Sequence, residues 1–178
     1  RVDPMLSPNG LYRIMENLMS RLDSFIRRMT AQRDVLNHIG ERVRALDGPV
    51  LELGLGNGRT FDHLRAHFPG RRIIAFDRAV GSHKSSTPEP ENLIVGEIRE
   101  SAKPFAGINA ALVHVDIGTG YEDKDAITLT WLPQLTVALL VPNGIVASGL
   151  ELDHPQLESL PLPHNVKKGR YFLYRRVE

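Results

Sequence analysis

From residue 50 onward the sequence keeps one rhythm: a short apolar run, a turn that carries glycines or an acid, then a stretch with helical spacing. Alternation of this kind implies parallel strands joined by right-handed helical crossovers. Strands are expected over 50–53, 72–76, 92–95, 110–115 and 145–148. Phe61, Leu64 and Phe68 place a short helix after the first strand, closed by Pro69-Gly70. A longer helix is expected over 125–140, kinked at Pro133, with Pro142-Asn143-Gly144 turning the chain into the fifth strand. The tail breaks the rhythm. Residues 157–162 and 170–176 flank Lys167-Lys168-Gly169, too close together for a helix between them, so they read as a hairpin. Tyr171-Phe172-Leu173-Tyr174 is apolar on both faces and belongs inside a sheet, whereas Pro161 and Pro163 push the preceding strand to its edge. The expected fold class is therefore α/β, a doubly wound and mostly parallel sheet closed by an antiparallel hairpin.

Ahead of this lies a helical segment, 1–47, distinct from the α/β domain, 48–178. Leu11, Ile14, Met15, Leu18, Leu22, Phe25, Ile26 and Met29 recur in steps of three and four, after a Ser7-Pro8 cap. Val35, Leu36, Ile39 and Val43 continue the pattern until Asp47-Gly48-Pro49 stops it. Met15, Met19 and Met29 fit either a plain helix core or a pliable wall over a pocket. Residues 82–90, rich in Ser, Thr and Pro, read as a loop.

Composition excludes several classes. The 178 residues carry 22 Lys plus Arg against 21 Asp plus Glu, so no basic excess argues for nucleic acid. The absence of Cys removes disulfide frameworks, thiolate zinc sites and cysteine nucleophiles, and fits a reducing compartment. Apolar runs such as 135–141 are too short to span a bilayer, and residues 1–8 lack the apolar core of a signal peptide. A cytoplasmic protein with neither membrane nor nucleic-acid partner is expected.

The chemistry sits in Glu52-Leu53-Gly54-Leu55-Gly56-Asn57-Gly58-Arg59-Thr60, a strand end running through three alternating glycines into a helix. A dinucleotide fingerprint needs glycine where Arg59 stands, and a P-loop needs Gly-Lys-Ser/Thr where Arg59-Thr60 stands. Asp77 ends the second strand nineteen residues past Gly58, where an acid accepts ribose hydroxyls. Gly96-Glu97-Ile98 follows the third strand, and a plain helix N-terminus carrying Glu97 accounts for it equally well. Asp116 ends the fourth strand, and alternation puts His114 on the same face.

An acid followed by Gly-x-Gly-x-Gly, with acids at successive strand ends, resembles the class I S-adenosylmethionine-dependent methyltransferases over about residues 48–178. The chain is similar to small bacterial families known simply as S-adenosylmethionine methyltransferases. The resemblance implies a seven-stranded sheet of order 3-2-1-4-5-7-6. It implies that Glu52, Gly54, Leu55, Gly56, Asn57, Gly58 and Thr60 cradle the methionine half of the cofactor, with the Glu52 carboxylate beside the sulfonium. Asp77 and Arg78 would serve the ribose, Gly96, Glu97 and Ile98 the adenine, and Asp116 would face both cofactor and acceptor. Between Asp77 and Asn92 the family usually has a helix. Pro88, Pro90 and the Ser/Thr cluster leave room here for little more than a turn.

The implied reaction is methyl transfer from S-adenosylmethionine, releasing S-adenosylhomocysteine. Asp116 is the first candidate to orient or deprotonate the acceptor and His114 the second, although a histidine inside a strand also fits a packed core group. The fifth strand ends in Ala147-Ser148-Gly149-Leu150, with Glu151 and Asp153 beyond, an incomplete ligand set, so no metal is expected. With no inserted substrate domain, the acceptor is expected to be a small molecule. The N-terminal helices would cover the strand ends or form a homodimer contact. Two alternatives stay open: a nicotinamide-dependent oxidoreductase, which Arg59 argues against, and a non-catalytic S-adenosylmethionine-binding module with a protein partner.

Overall fold

The computed structural model describes residues 20–178. The Ser7-Pro8 cap, the apolar stripe over 11–18, Met15 and Met19 lie outside the described residues. Packing divides the chain after Thr30, into a unit ending there and a unit of Ala31–Glu178. Val35, Leu36, Ile39 and Val43, from the expected helical segment, are fully buried in the same apolar cluster as Val50.

Helix α1 (Arg21–His38) begins where the Ser20 hydroxyl accepts the Asp23 N–H at 3.0 Å, an N-cap that satisfies one of the first turn's free donors. Thr30 lies inside this helix rather than breaking it. After the short α2 (Gly40–Arg44), the chain alternates β1 (Val50–Leu53), α3 (Arg59–His67), β2 (Ile73–Asp77), β3 (Leu93–Val95), α4 (Ile98–Ser101), β4 (Ala110–Val115), α5 (Glu122–Leu129), α6 (Leu132–Leu139) and β5 (Leu140–Ser148). It closes with β6 (Leu157–Ser159) and β7 (Phe172–Arg176). The strand order is β3-β2-β1-β4-β5-β7-β6. Five strands pair in parallel, and β7 runs antiparallel between β5 and β6. The sheet is the expected one, down to the last strand lying inside the hairpin.

Strand alternation builds two cores. Val50, Ile73, Ala75, Leu112, Ile145 and Leu173 pack with Phe61, Leu64, Leu36 and Ile39 on one face. Leu51, Leu53, Ile74, Phe76, Val113 and Val146 pack with Ile98, Leu132, Leu135 and Leu139 on the other. Polar side chains inside either core need a reason, and Glu52 and His114, both on the first face, are fully buried.

Three local expectations change. The helix over 125–140 is two helices, broken at Thr130-Trp131, and Pro133 stands in the first turn of α6 rather than at a kink. Proline's missing N–H costs nothing there, because first-turn donors have no intrahelical partner. The fifth strand starts at Leu140, not 145. Ala110 faces Leu140 and Leu112 faces Ile145, so a bulge carries Pro142-Asn143-Gly144, with Asn143 left-handed at φ 64°. The edge strand stops at Ser159 instead of 162. Leu160 N–H still bonds Leu173 C=O at 2.8 Å, but Pro161 and Pro163 have no donor with which to continue the ladder. The 82–90 loop holds only two 3₁₀ turns, Lys84–Ser86 and Pro90–Asn92.

Candidate functional site

The carboxyl ends of the parallel strands are tied by main-chain bonds just beyond their tips. Gly54 N–H reaches Phe76 C=O at 2.9 Å, Asp116 N–H reaches Leu53 C=O at 2.9 Å, and Gly96 N–H reaches Asp77 C=O at 2.8 Å. Over these tips opens a cleft of about 620 Å³. Of the expected residues, Gly54, Gly56, Asp77, Arg78, Glu97, Ile98 and Asp116 line it. Strand ends of doubly wound sheets are where ligands bind.

The three glycines of the turn do different work. A Cβ on Gly54 would strike the Asp116 carbonyl oxygen, so this residue lets the β1 and β4 tips close together. A Cβ on Gly58 would strike the Ser86 carbonyl oxygen, so this glycine admits the 82–87 loop, which Arg65 also holds through a 3.0 Å bond to Ser85 C=O. Gly56, at φ 52°, has nothing within 4 Å of the place a Cβ would take. That open, left-handed position is the one that faces the cleft with bare backbone.

Asp77 braces the turn from the tip of β2. One carboxylate oxygen accepts Gly56 N–H at 2.8 Å, and the other accepts Arg78 N–H at 2.7 Å and Ala79 N–H at 3.5 Å. Arg78 and Glu97 pair at 3.2 Å across two largely exposed side chains, a contact worth little on its own. Gly96, half-buried, carries the chain from β3 into α4, and Ile98 combines a place in the core with a place on the cleft wall.

The structure does not bring every expected residue to the cleft. Leu55 is 2% exposed and packs in the core, so it offers the cleft no side chain. Asn57 is exposed and Gly58 faces the loop. Thr60 spends its hydroxyl on Glu52 Oε1. Glu52, expected beside the cofactor's cation, lies beneath the turn instead, because alternation from Leu53 turns it into the opposite core. Burial pushes its carboxyl above the ordinary range, against the pull of His114 and Thr60. His114, expected at the reacting centre, is fully buried as well. Its Nε2 lies 2.5 Å from the Tyr171 hydroxyl and its Nδ1 lies 3.5 Å from Glu52 Oε1.

Sequence reasoning missed Trp131, Thr119 and Lys124, which also line the cleft. It passed over Asp125 too. Partial burial works to raise that carboxyl, but hydrogen bonds from Thr119 and Gly120 win and lower it, fixing the loop after β4. A capping acid in the first turn of a helix was the available signal. Glu151 and Asp153 are exposed beyond β5, and no group of three or more His, Asp or Glu among the described residues is placed to hold a metal ion. No helix among the described residues is long and apolar enough to cross a membrane.

A 3-2-1-4-5-7-6 sheet with a glycine turn after β1 and an acid at the tip of β2 is the sheet of the class I S-adenosylmethionine-dependent methyltransferases. Residues 19–176 match the profile of the S-adenosyl-L-methionine methyltransferase family, and the chain belongs to that family. It is 44% identical to the S-adenosyl-L-methionine methyltransferase of Silicibacter pomeroyi DSS-3, with a TM-score of 0.82 over 89% of this chain and 99% of that one. Two more distant structures share the fold. The N-methyltransferase NodS of Bradyrhizobium japonicum WM9 is 14% identical, with a TM-score of 0.54 over 87% of this chain and 97% of that one. The 16S rRNA (adenine(1408)-N(1))-methyltransferase of Catenulisporales acidiphilia, with cosubstrate S-adenosylmethionine, is 11% identical, with a TM-score of 0.50 over 80% and 91%. No curated protein matches the sequence. The protein is an S-adenosylmethionine-dependent methyltransferase.

Proposed function

We propose that the enzyme methylates a small-molecule acceptor, with the cofactor held by the Gly54–Gly58 turn, Asp77 and Ile98. The observation that carries the reading is the open space above Gly56, whose amide the Asp77 carboxylate fixes. S-adenosylmethionine supplies the methyl group when bound and leaves as S-adenosylhomocysteine, keeping the electrons of the broken C–S bond. Asp77 binds the ribose hydroxyls, while Ile98 and Trp131 offer apolar surface to the adenine. Arg78 and Glu97 close the rim beside them. Asp116, at the β4 tip, orients the acceptor and takes its proton where attack requires that loss. Most of the acceleration comes from alignment of nucleophile, methyl carbon and sulfur.

A second cavity of about 430 Å³, lined by Leu160, Leu162, Tyr171 and Phe172 with Glu151 and Lys168, supports a small organic acceptor. Phe172, one of its walls, is in register with Ser148 and Val115, two strand spacings or about 10 Å from β4. The same reading places the enzyme in the cytoplasm as a homodimer formed through its N-terminal segment. Sedimentation analysis decides the dimer.

Calorimetric titration with S-adenosylmethionine and S-adenosylhomocysteine, with NADH as control, tests the site. Micromolar affinity for the first pair and none for NADH is expected; binding of NADH alone would restore the oxidoreductase reading. Methyl transfer to bulk RNA and to none of a small-molecule panel would overturn the acceptor class.

A further inference from the structure

Beneath the cleft a buried polar chain crosses the sheet. Glu52 and His114 are register partners on β1 and β4, and two residues further along lie Gly54 and Asp116, the tips that line the cleft. Thr60, on α3, donates to Glu52 Oε1, and His114 Nδ1 stands 3.5 Å from that same oxygen. On its far side His114 Nε2 meets the hydroxyl of Tyr171, the residue before β7, at 2.5 Å, with the two rings stacked. Tyr171 is 1% exposed, and Glu52 and His114 are fully buried. Among the described residues, Glu52 Oε2 and His114 Nδ1 find no hydrogen-bond partner.

A phenol that donates to Nε2 leaves the ring proton on Nδ1, pointing at Glu52. At 3.5 Å that contact falls short of a hydrogen bond by about 0.5 Å. Closing the gap would shift the Glu52 and His114 side chains directly under Gly54 and Asp116. We infer that Tyr171 and His114 are positioning residues, which act through Glu52 to order the packing beneath the two strand tips that hold the cofactor turn and the acceptor-side acid. The inference rests on the cofactor reading of the cleft. Among the described residues, the ionisable groups around the chain are Glu52 on β1, Asp116 on β4, Tyr171 before β7, and His63 on α3, which feels the charge of His114.

The test is calorimetric binding of S-adenosylhomocysteine from about pH 6 to about pH 9 to the wild type, Tyr171→Phe and Asp77→Ala. Long-range ¹H–¹⁵N spectra of wild-type His114 accompany it. Tyr171→Phe is expected to weaken binding about 10-fold and to change its pH profile. Asp77→Ala is expected to weaken binding with the profile unchanged. Wild-type His114 should carry its proton on Nδ1, and that signal should move when S-adenosylhomocysteine binds. An Nε2–H ring, or signals that ligand leaves in place, would overturn the inference even if Tyr171→Phe fails to fold. So would a folded Tyr171→Phe with wild-type affinity and pH profile. A wild type with no affinity for S-adenosylhomocysteine would overturn the cofactor reading itself, and this inference with it.

Discussion

The Asp77 carboxylate accepts the N–H of Gly56 at 2.8 Å, so the acid proposed to meet the cofactor's ribose also fixes the one glycine of the turn that faces open space. Asp77→Ala removes both functions together. Cofactor affinity should fall by about 1–3 kcal/mol, the scale of hydrogen bonds to a charged group. Titration calorimetry reads this directly, and an unchanged Kd would put the ribose elsewhere.

Gly56→Val should separate binding from folding. Nothing lies within 4 Å of the new Cβ, so the protein stays folded and pays about 1–2 kcal/mol for a left-handed L residue. The side chain then fills the space the cofactor needs. A melting curve near that of the wild type together with lost S-adenosylmethionine binding is the expected pair of results.

Gly58→Ala should do the reverse. Its methyl meets the Ser86 carbonyl, which belongs to a loop held by Arg65, so the damage falls on the fold. A loss of about 2–4 kcal/mol in denaturant unfolding is expected, from overpacking added to left-handed strain. Stability equal to that of the wild type would mean that the 82–87 loop yields freely.

Glu52 gives a pH signature. Burial raises its carboxyl above the ordinary value of 4.5, so between that value and its folded value the unfolded chain has lost a proton that the native state keeps. Stability therefore declines as pH rises through this window. Glu52→Gln should flatten the decline, so the variant gains on the wild type from about pH 4.5 upward. Parallel stability curves for the two proteins would show Glu52 ionised in the fold.

What could be read from the sequence follows from what is local. The parallel sheet and its closing hairpin came from a rhythm of short elements, the strand order from the family resemblance, and Asp77 from its place at a strand end. Gly56 and Gly58 look alike in the sequence, yet one faces open space and the other a carbonyl 28 residues ahead, at Ser86. Glu52 is fully buried beneath the turn, and its burial depends on β4 and α3 packing over it, which no local pattern announces. Tyr171 bonds His114 across 57 residues, and its apolar surroundings announced a core strand, not a polar contact. Pro133 was legible as a helix breaker but not as a helix opener, since both roles use the same missing N–H.

The position of β7 bears on the order in which the chain assembles. During synthesis β1 to β5 emerge in turn, and each has a neighbour to pair with by the time β5 is out. β6 emerges next and has none, because its only partner among the described residues is β7. The exposed flank of β5 and the whole of β6 therefore wait on Phe172–Arg176, and five residues close two gaps in the sheet at once. Until they arrive, an unpaired strand edge beside Ala147 and Ser148 is open to another chain, which makes this short segment a guard against misassembly as well as a part of the fold.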